Sequence, residues 1–493
     1  MKISIDKSSK VPVYLQIADQ IKAQIISGAL PRSSALPSER ALAQILDVHR
    51  NTVVKAYGEL KSDAWIESRQ GVGYLVASAS TEKDPVGESG EGVQMGRVNW
   101  VNEVADKYLD MEKTFDDLFQ RFTDESHFSL GSGIASREVY SSERVAHDIA
   151  GLLTGSGPSQ YFFSPYKGDR FLRQKLASFL GTKGVRASSG EIQILSETNQ
   201  ALDFIVTLLV KPGDSVVMEE PVHPDMYRVM ELAGARILTV PVDEDGMNCD
   251  VLESLLTQTR PRLIFVNSSF HDPTGCILSL ERRKKLVELS SRYRIPIVEE
   301  DAASELVYDG DKLPPIKAFD TTGNVIYIYS FSLTFIPGLS LAFVTGNRDF
   351  VRALSYLVSV RLMASDWMTQ KLLGMYLDDG SYYSSLATFR EIYSGNRDLV
   401  CQKLDALAHL GVRYERPRGG VYVWCRLPDG VDSKHFINRA YNMGVTLIPG
   451  HVFYPYKNGG RDYIRINYSY ESRERLACGM DVLHKALEEE LEE

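Results

Sequence analysis

A run of four polar residues, from His49 to Thr52, carries side chains that could bind a nucleic acid. Arg50 and Asn51 have hydrogen-bond donors suited to base edges, and Thr52 has a hydroxyl group suited to a phosphate. The alternative interpretation is a charged helix face that contacts only solvent. The first interpretation requires that these residues begin a helix that can enter the major groove of DNA.

The elements predicted around this run meet that requirement. Apolar residues recur at helical spacing over residues 11–27, and Ser38 can cap a second helix. A third helix is predicted to start at His49, and the composition of residues 65–76 predicts a β-hairpin. Three helices and a hairpin in so short a stretch predict a winged helix-turn-helix domain over residues 1–78.

A different pattern, of alternating helices and short apolar strands, begins at residue 126. It predicts an α/β domain over residues 126–493. Residues 79–92 are acidic and rich in Gly and Ser, which predicts a flexible linker. Residues 98–122 show near-heptad apolar spacing and predict a connecting helix. The two predicted domains, 1–78 and 126–493, are therefore joined by a linker and a helix over residues 79–125.

The charge of the chain is unevenly distributed. The 493 residues have a formal net charge of −10, whereas residues 1–78 contain ten Lys or Arg and seven Asp or Glu. A basic head of +3 therefore precedes an acidic body of −13, which fits a DNA-binding module attached to a domain with another task. The acidic total argues against a protein that coats nucleic acid along its whole surface.

The composition also bears on the cellular compartment. Hydrophobic residues make up 44% of the chain, but no run of about 18 apolar residues could span a membrane. The N-terminus lacks the apolar segment of a signal peptide. The five cysteines lie far apart and form no CxxC pair, so neither a metal site nor a disulfide framework is predicted. We expect a cytoplasmic protein with reduced thiols.

The N-terminal sequence resembles the DNA-binding domain of GntR-type regulators. The resemblance rests on LPSERALA at residues 36–43, HRNTVV at residues 49–54 and QGVG at residues 70–73. It implies that this domain binds double-stranded operator DNA. The DNA contacts that it implies are Ser38, Arg40, His49, Arg50, Asn51, Thr52, Lys55, Arg69, Gly71 and Gly73. A structural salt bridge at Arg40 and a merely solvated side chain at Lys55 are the alternatives.

The body resembles the aspartate-aminotransferase-like fold, which is fold type I of the enzymes that use pyridoxal phosphate (PLP). Eight motifs occur in the expected order, at residues 164–173, 194–202, 212–221, 272–275, 296–301, 330–340, 447–450 and 463–468. A winged helix joined to such a body is the arrangement of MocR-type regulators, a branch of the GntR family. The resemblance implies a homodimer, with a head-to-tail arrangement as one option, and leaves open whether a small-molecule effector binds.

The positions that would bind PLP carry unexpected residues. By the resemblance, Leu333 replaces the lysine that forms the Schiff base, and Ser340 replaces an arginine that binds the phosphate. Glu197, Asp272 and Ala302 stand where the family has glycine, asparagine and tyrosine. The degenerate cofactor pocket that the resemblance implies consists of Glu197, Thr198, His223, Asp272, Glu300, Ala302, Ser330, Ser332, Leu333 and Ser340. We therefore expect no covalent PLP and no catalysis; a PLP-dependent aminotransferase or a PLP-responsive regulator is the alternative.

Arg465 matches the arginine that binds the substrate carboxylate in the family. It could capture a carboxylate by bidentate pairing, or it could form an internal salt bridge with Glu197, Glu300 or Asp272. The sequence leaves both interpretations open. Because three acids are assigned to one pocket, a cationic or zwitterionic ligand would fit it better than a phosphate.

Overall fold

The chain folds into two compact units, residues 1–110 and 111–493. The structure, a computed structural model, describes residues 12–77, 126–155, 165–362 and 366–492, except 27–28, 32–33, 63–64, 70–72 and 137, together with residues 3, 5 and 121. The predicted linker and connecting helix lie almost entirely outside the described residues. The boundaries of the segment 79–125 therefore stay a prediction.

The N-terminal unit contains three helices and a two-stranded hairpin. The helices are α1 (Val13–Ile26), α2 (Glu39–Leu46) and α3 (Arg50–Ser62), and the hairpin pairs β1 (Ile66–Arg69) with β2 (Gly73–Val76) in antiparallel register. Their apolar faces form one small core. Its fully buried members include Ile17, Ala18, Ile21, Leu42, Val53, Ala56, Tyr57 and Leu60. The predicted winged helix-turn-helix fold is confirmed.

Local hydrogen bonds set the turn between α2 and α3. The Ser38 side chain accepts a hydrogen bond from the backbone N–H of Ala41 at 3.2 Å and so caps the first turn of α2. Asp47 ends that helix in the left-handed region, with a φ of 51°, which Asp tolerates better than most residues. The chain then turns at once into α3, whose N-terminal end carries the polar residues 49–52.

The C-terminal unit is built on an eight-stranded mixed sheet, which follows the short strand β3 (Phe128–Ser129). The strands are β4 (Ile192–Leu195), β5 (Ser215–Glu220), β6 (Arg236–Asp243), β7 (Gly246–Met247), β8 (Ile264–Asn267), β9 (Ile297–Asp301), β10 (Val325–Ser330) and β11 (Ala342–Thr345). Their order across the sheet is β4-β11-β10-β9-β8-β5-β6-β7. Strands β10, β9, β8, β5 and β6 run parallel, whereas β11 is antiparallel to both of its neighbours.

Helices pack against this sheet in separate hydrophobic clusters. They are α4 (Ser142–Gly155), α5 (Arg170–Thr182), α6 (Thr198–Leu209), α7 (Pro224–Leu232), α8 (Cys249–Gln258), α9 (Leu280–Tyr293), α10 (Arg348–Arg361), α11 (Trp367–Asp378), α12 (Ser381–Asp405), α13 (Ser433–Asn442) and α14 (Arg473–Leu491). Short 3₁₀ turns lie at Ser189–Glu191, Ile316–Phe319, Ala408–Leu410 and Gly450–Phe453. One cluster joins α6, α7 and α10 to the sheet, and another joins α8 and α9 to it. The parallel strands between these helices are largely apolar, but β5 and β9 end in acidic residues, at Glu219–Glu220 and at Glu299–Asp301.

A smaller four-stranded sheet completes the unit. The remaining strands are β12 (Arg413–Tyr414), β13 (Tyr422–Arg426), β14 (Val445–Thr446), β15 (Ile448–Pro449) and β16 (Tyr463–Asn467). The small sheet has the order β12-β13-β16-β15, while β14 pairs in parallel with β3. Arg465 lies on β16, opposite Trp424 on one side and Ile448 on the other.

The carboxyl ends of the parallel strands gather at one edge of the large sheet. Strand β8 ends at Asn267, β9 at Asp301 and β10 at Ser330. The loops after such ends are the usual place for a ligand site in an open α/β sheet. The predicted α/β fold is confirmed, and its strand order directs attention to this edge. None of the described helices is long and apolar enough to cross a membrane.

Candidate functional site

The loop that follows β10 places Leu333 in the wall of a cavity. The backbone N–H of Phe331 donates to the carbonyl oxygen of Leu341 at 2.9 Å, so the loop starts and ends at adjacent points. Gly338, with a φ of 82°, takes a left-handed conformation that favours glycine. Leu333 is only 5% exposed and lines the cavity. The loop thus presents an apolar side chain at this position.

The cavity consists of two adjoining chambers. The inner chamber has a volume of about 150 Å³, and the outer chamber has a volume of about 460 Å³. The predicted pocket residues in the wall of the inner chamber are Thr198, His223, Asp272, Glu300, Ala302, Ser332 and Leu333. Those in the wall of the outer chamber are Glu197, His223, Ser332 and Arg465.

Two residues of the predicted pocket lie elsewhere. Ser330 is buried and its hydroxyl group donates to the hydroxyl oxygen of Ser332 at 3.1 Å, so its side chain closes the loop. Ser340 is exposed and follows the turn at Gly338. Neither serine is among the residues that line the chambers.

Several residues that line the chambers were not among the predicted pocket residues, and three of them are Asn267, Asp225 and Tyr422. The sequence could have indicated Asn267, because it is the polar last residue of an otherwise apolar strand. It could not have indicated Tyr422, since Tyr422 lies on β13 of the small sheet and only the tertiary fold brings it here. Asp225, in the first turn of α7, could equally have been a solvated helix residue.

Glu300 is a buried carboxyl group without a cationic partner among the described residues. It is 7% exposed, and one of its oxygens accepts a hydrogen bond from the side-chain amide of Asn267. Burial, and after it the negative charges of Asp301 and Asp272, raise the pKa of Glu300 to about 8, although the hydrogen bond from Asn267 lowers it. The Glu300 carboxyl group is therefore mostly protonated at neutral pH.

Arg465 is held in an internal ion pair. Its Nη1 lies 2.7 Å from each carboxylate oxygen of Asp272, and its Nη2 donates to the carbonyl oxygen of Gly131 at 2.9 Å. Its guanidinium group lies 4.3 Å from the ring centre of Tyr422 and 5.1 Å from that of Phe453. Burial raises the pKa of Asp272, but the charge of Arg465, the neighbouring His223 and the hydrogen bonds from Arg465 together hold that pKa below its ordinary value. Of the two interpretations left open, the structure contains the internal salt bridge.

The predicted DNA contacts lie on the helix-turn-helix and at the hairpin. Arg40, His49, Arg50, Asn51 and Lys55 are exposed, and Thr52 is half-buried. His49 precedes α3, and its Nδ1 accepts a hydrogen bond from the backbone N–H of Asn51 at 3.2 Å. Gly73 opens β2 with a φ of 99°. Gly71 and the side chain of Arg69 lie outside what the structure describes, so a contact from the hairpin tip stays a prediction.

Glu39 positions the arginine at the start of α3. Its carboxylate accepts hydrogen bonds from Nη2 of Arg50 at 2.8 Å and from Nε of Arg50 at 3.3 Å, and it accepts a third from the hydroxyl group of Tyr74 at 3.2 Å. Glu39 therefore links the first turn of α2 to both α3 and strand β2. The Arg50 side chain is still 53% exposed, so the ion pair orients it without hiding it.

Two family models match the chain. The model of aminotransferase class I and II matches residues 125–481. The chain belongs to the class I and II aminotransferase family. The model of bacterial regulatory proteins of the gntR family matches residues 13–76, so a GntR helix-turn-helix precedes the aminotransferase domain. This combination confirms the predicted MocR-type architecture.

Similar proteins include regulators and enzymes. This MocR-type chain is 27% identical over 478 residues to the HTH-type transcriptional regulator YisV of Bacillus subtilis, covering 96% of each chain. It is 28% identical over 458 residues to the probable rhizopine catabolism regulatory protein MocR of Rhizobium meliloti, covering 90% of this chain and 88% of that one. Among solved structures, kynurenine aminotransferase of Pyrococcus horikoshii, in complex with PMP, is similar with a TM-score of 0.75 and 27% identity, over 80% of this chain and 98% of that one.

Proposed function

We propose that this MocR-type protein is a sequence-specific transcription regulator whose aminotransferase domain is catalytically inactive. In this proposal, residues 1–78 bind operator DNA, residues 79–125 connect the domains, and residues 126–493 serve in effector binding or dimerisation. We place the protein in the cytoplasm. The observation that carries the proposal is the position of Leu333 in the wall of the inner chamber.

Leu333 supports the loss of catalysis because leucine has no amine with which to bind PLP covalently. None of the described residues that line the two chambers is a lysine. Lys167, another lysine that could be considered from the sequence, donates to the carbonyl oxygen of Gly190 at 3.3 Å and lines neither chamber. PLP therefore does not fit this site as a covalent cofactor.

Two residues at the start of α6 also argue against PLP. Thr198 begins α6 in the wall of the inner chamber, and Glu197 precedes the helix in the wall of the outer chamber. A helix N-terminus attracts a phosphate, but the exposed carboxylate of Glu197, directly before this helix, has the same sign as a phosphate and opposes its binding. The exposed Ser340 supplies no compensating positive charge.

The helix-turn-helix supports the DNA-binding part of the proposal. Helix α3 begins at Arg50, so Arg50 and Asn51 lie in its exposed first turn, where recognition helices contact base edges. Arg40 and Lys55 are exposed cations that suit phosphate contacts. Two such heads in a homodimer would read two half-sites, and the bodies would set their spacing, head-to-tail or otherwise.

A selection from random double-stranded DNA tests the regulatory part. The purified protein should enrich one motif, with two half-sites if it binds as a dimer, and the affinity for that motif should fall as salt rises. The absence of an enriched motif after repeated rounds would contradict sequence-specific binding.

Covalent trapping tests the catalytic part. The protein is incubated with PLP, treated with borohydride, and analysed by visible absorption and by mass spectrometry of the intact chain. We expect no covalent adduct. A stoichiometric adduct would instead support the PLP-dependent aminotransferase or the PLP-responsive regulator.

A further inference from the structure

The inner chamber contains one acidic end and otherwise mostly apolar walls. Glu300 and Asn267 line it together. The Asn267 amide nitrogen donates to Glu300, while its Oδ1 is buried and has no hydrogen-bond partner among the described residues. A buried acceptor without a partner is costly, and so is a buried carboxylate without a cation. When Glu300 is ionised, the two groups present adjacent acceptors that a ligand with several N–H donors would satisfy.

Arg465, the residue that matches the carboxylate-binding arginine of the family, is already paired within the protein. Asp272 accepts from Nη1 of Arg465 with both of its oxygens, Gly131 accepts from Nη2, and the ring of Tyr422 lies against the guanidinium group. A ligand carboxylate would have to displace Asp272 from a pair that is buried. It would also enter a chamber lined by Glu300, which has the same sign when ionised. An amino acid zwitterion therefore does not suit the inner chamber.

The apolar residues of the inner chamber determine which ligands fit it. Val222, Met226, Phe265, Phe270 and Leu333 face the inner chamber, so most of its surface is hydrocarbon. Leu333 contributes apolar surface where the family has a lysine. A chamber of about 150 Å³ with apolar walls accommodates a molecule of about the size of benzene.

We propose that the inner chamber binds a primary monoamine with an apolar body and no carboxylate, with its ammonium group on Glu300 and Asn267. This inference rests on the proposed function, because it requires a domain that performs no chemistry on the amine. The ammonium ion supplies the cation that Glu300 lacks and a donor for Asn267 Oδ1. Binding expels the proton that Glu300 carries at neutral pH, so affinity rises up to about pH 8.

Equilibrium dialysis with radiolabelled ligands tests this proposal on the full-length protein at about pH 8. The probes are two pairs that differ only in a carboxylate: 3-methylbutylamine against leucine, and 2-phenylethylamine against phenylalanine. We expect at least one amine to bind about tenfold or more tightly than its amino acid. Glu300→Gln should weaken amine binding by about tenfold or more, because the glutamine amide carries no negative charge and the ion pair with the ammonium group is lost.

The matched control is Glu244→Gln, in the exposed turn between β6 and β7, which should leave amine binding unchanged. The proposal is overturned if neither amine binds, if the amino acids bind as tightly as the amines, or if Glu300→Gln has no effect. DNA binding and covalent trapping with PLP are measured on the same preparations. If the wild-type protein binds DNA, forms no covalent PLP adduct and binds neither amine, only this inference is refuted. A covalent PLP adduct would instead refute the proposed function.

Discussion

Replacing Glu300 by glutamine should make the C-terminal unit more stable at neutral and alkaline pH. The buried carboxyl group has a pKa of about 8, against an ordinary value of 4.5. Between these two values the folded chain keeps the proton and the unfolded chain has lost it, so unfolding releases a proton and stability falls as pH rises. Glutamine does not titrate, and its amide could also donate to the buried Oδ1 of Asn267.

The size of this effect follows from the difference between the two pKa values. Each pH unit between them is worth about 1.4 kcal/mol. Relative to its value at low pH, the free energy of unfolding of the wild type is therefore almost unchanged at pH 4.5. It is lower by at most about 3 kcal/mol at pH 7, and by at most about 5 kcal/mol at pH 8 and above. The advantage of Glu300→Gln should grow with pH over that window and then level off.

Urea denaturation followed by circular dichroism at pH 5, 7 and 8.5 measures this difference. The midpoint for Glu300→Gln should exceed that of the wild type, with a gap that widens with pH, while the exposed Glu244→Gln should track the wild type. A gap that does not change with pH would refute the reasoning, because the stabilisation would then have nothing to do with titration. Equal midpoints at pH 8.5 would show that burial of Glu300 in the folded protein does not lower its stability at that pH.

Three further substitutions test other parts of the structure. Arg50→Ala should lower specific DNA affinity by about 1–3 kcal/mol in fluorescence anisotropy; unchanged affinity would mean that another segment reads the operator. Leu333→Lys alone should not restore tight PLP binding, because Glu197 and Ser340 are unchanged. One bound PLP per chain in the absorption spectrum would contradict this. Asp272→Asn should destabilise the unit by about 3–5 kcal/mol, since the buried charge of Arg465 loses its partner, and an unchanged denaturation midpoint would argue otherwise.

Features encoded by neighbouring residues were predictable from the sequence. The cap at Ser38, the turn at Asp47 and the start of α3 depend on side chains within a few residues of the backbone groups that they bind. The same holds for the loop after β10, whose glycine at Gly338 takes the left-handed conformation. For this reason, the order of the helices and of the hairpin in the N-terminal unit follows the sequence prediction.

Features that depend on tertiary geometry were not predictable in the same way. Asp272 was one of three acids considered as the partner of Arg465, and 193 residues separate the two. No local pattern could choose among those acids, because the choice depends on how the small sheet packs against the large one. The position of Tyr422 in the chamber wall also follows from that packing.

The ion pair between Asp272 and Arg465 has a mechanical consequence. Asp272 lies in the loop after β8 of the large sheet, whereas Arg465 lies on β16 of the small sheet. The ion pair therefore links the large sheet to the small sheet. Moving the sheets apart would break this ion pair, and Arg465 would then be a buried charge without its partner until water reached it. A change in the inner chamber that moved the two sheets apart would therefore first have to break the ion pair between Asp272 and Arg465.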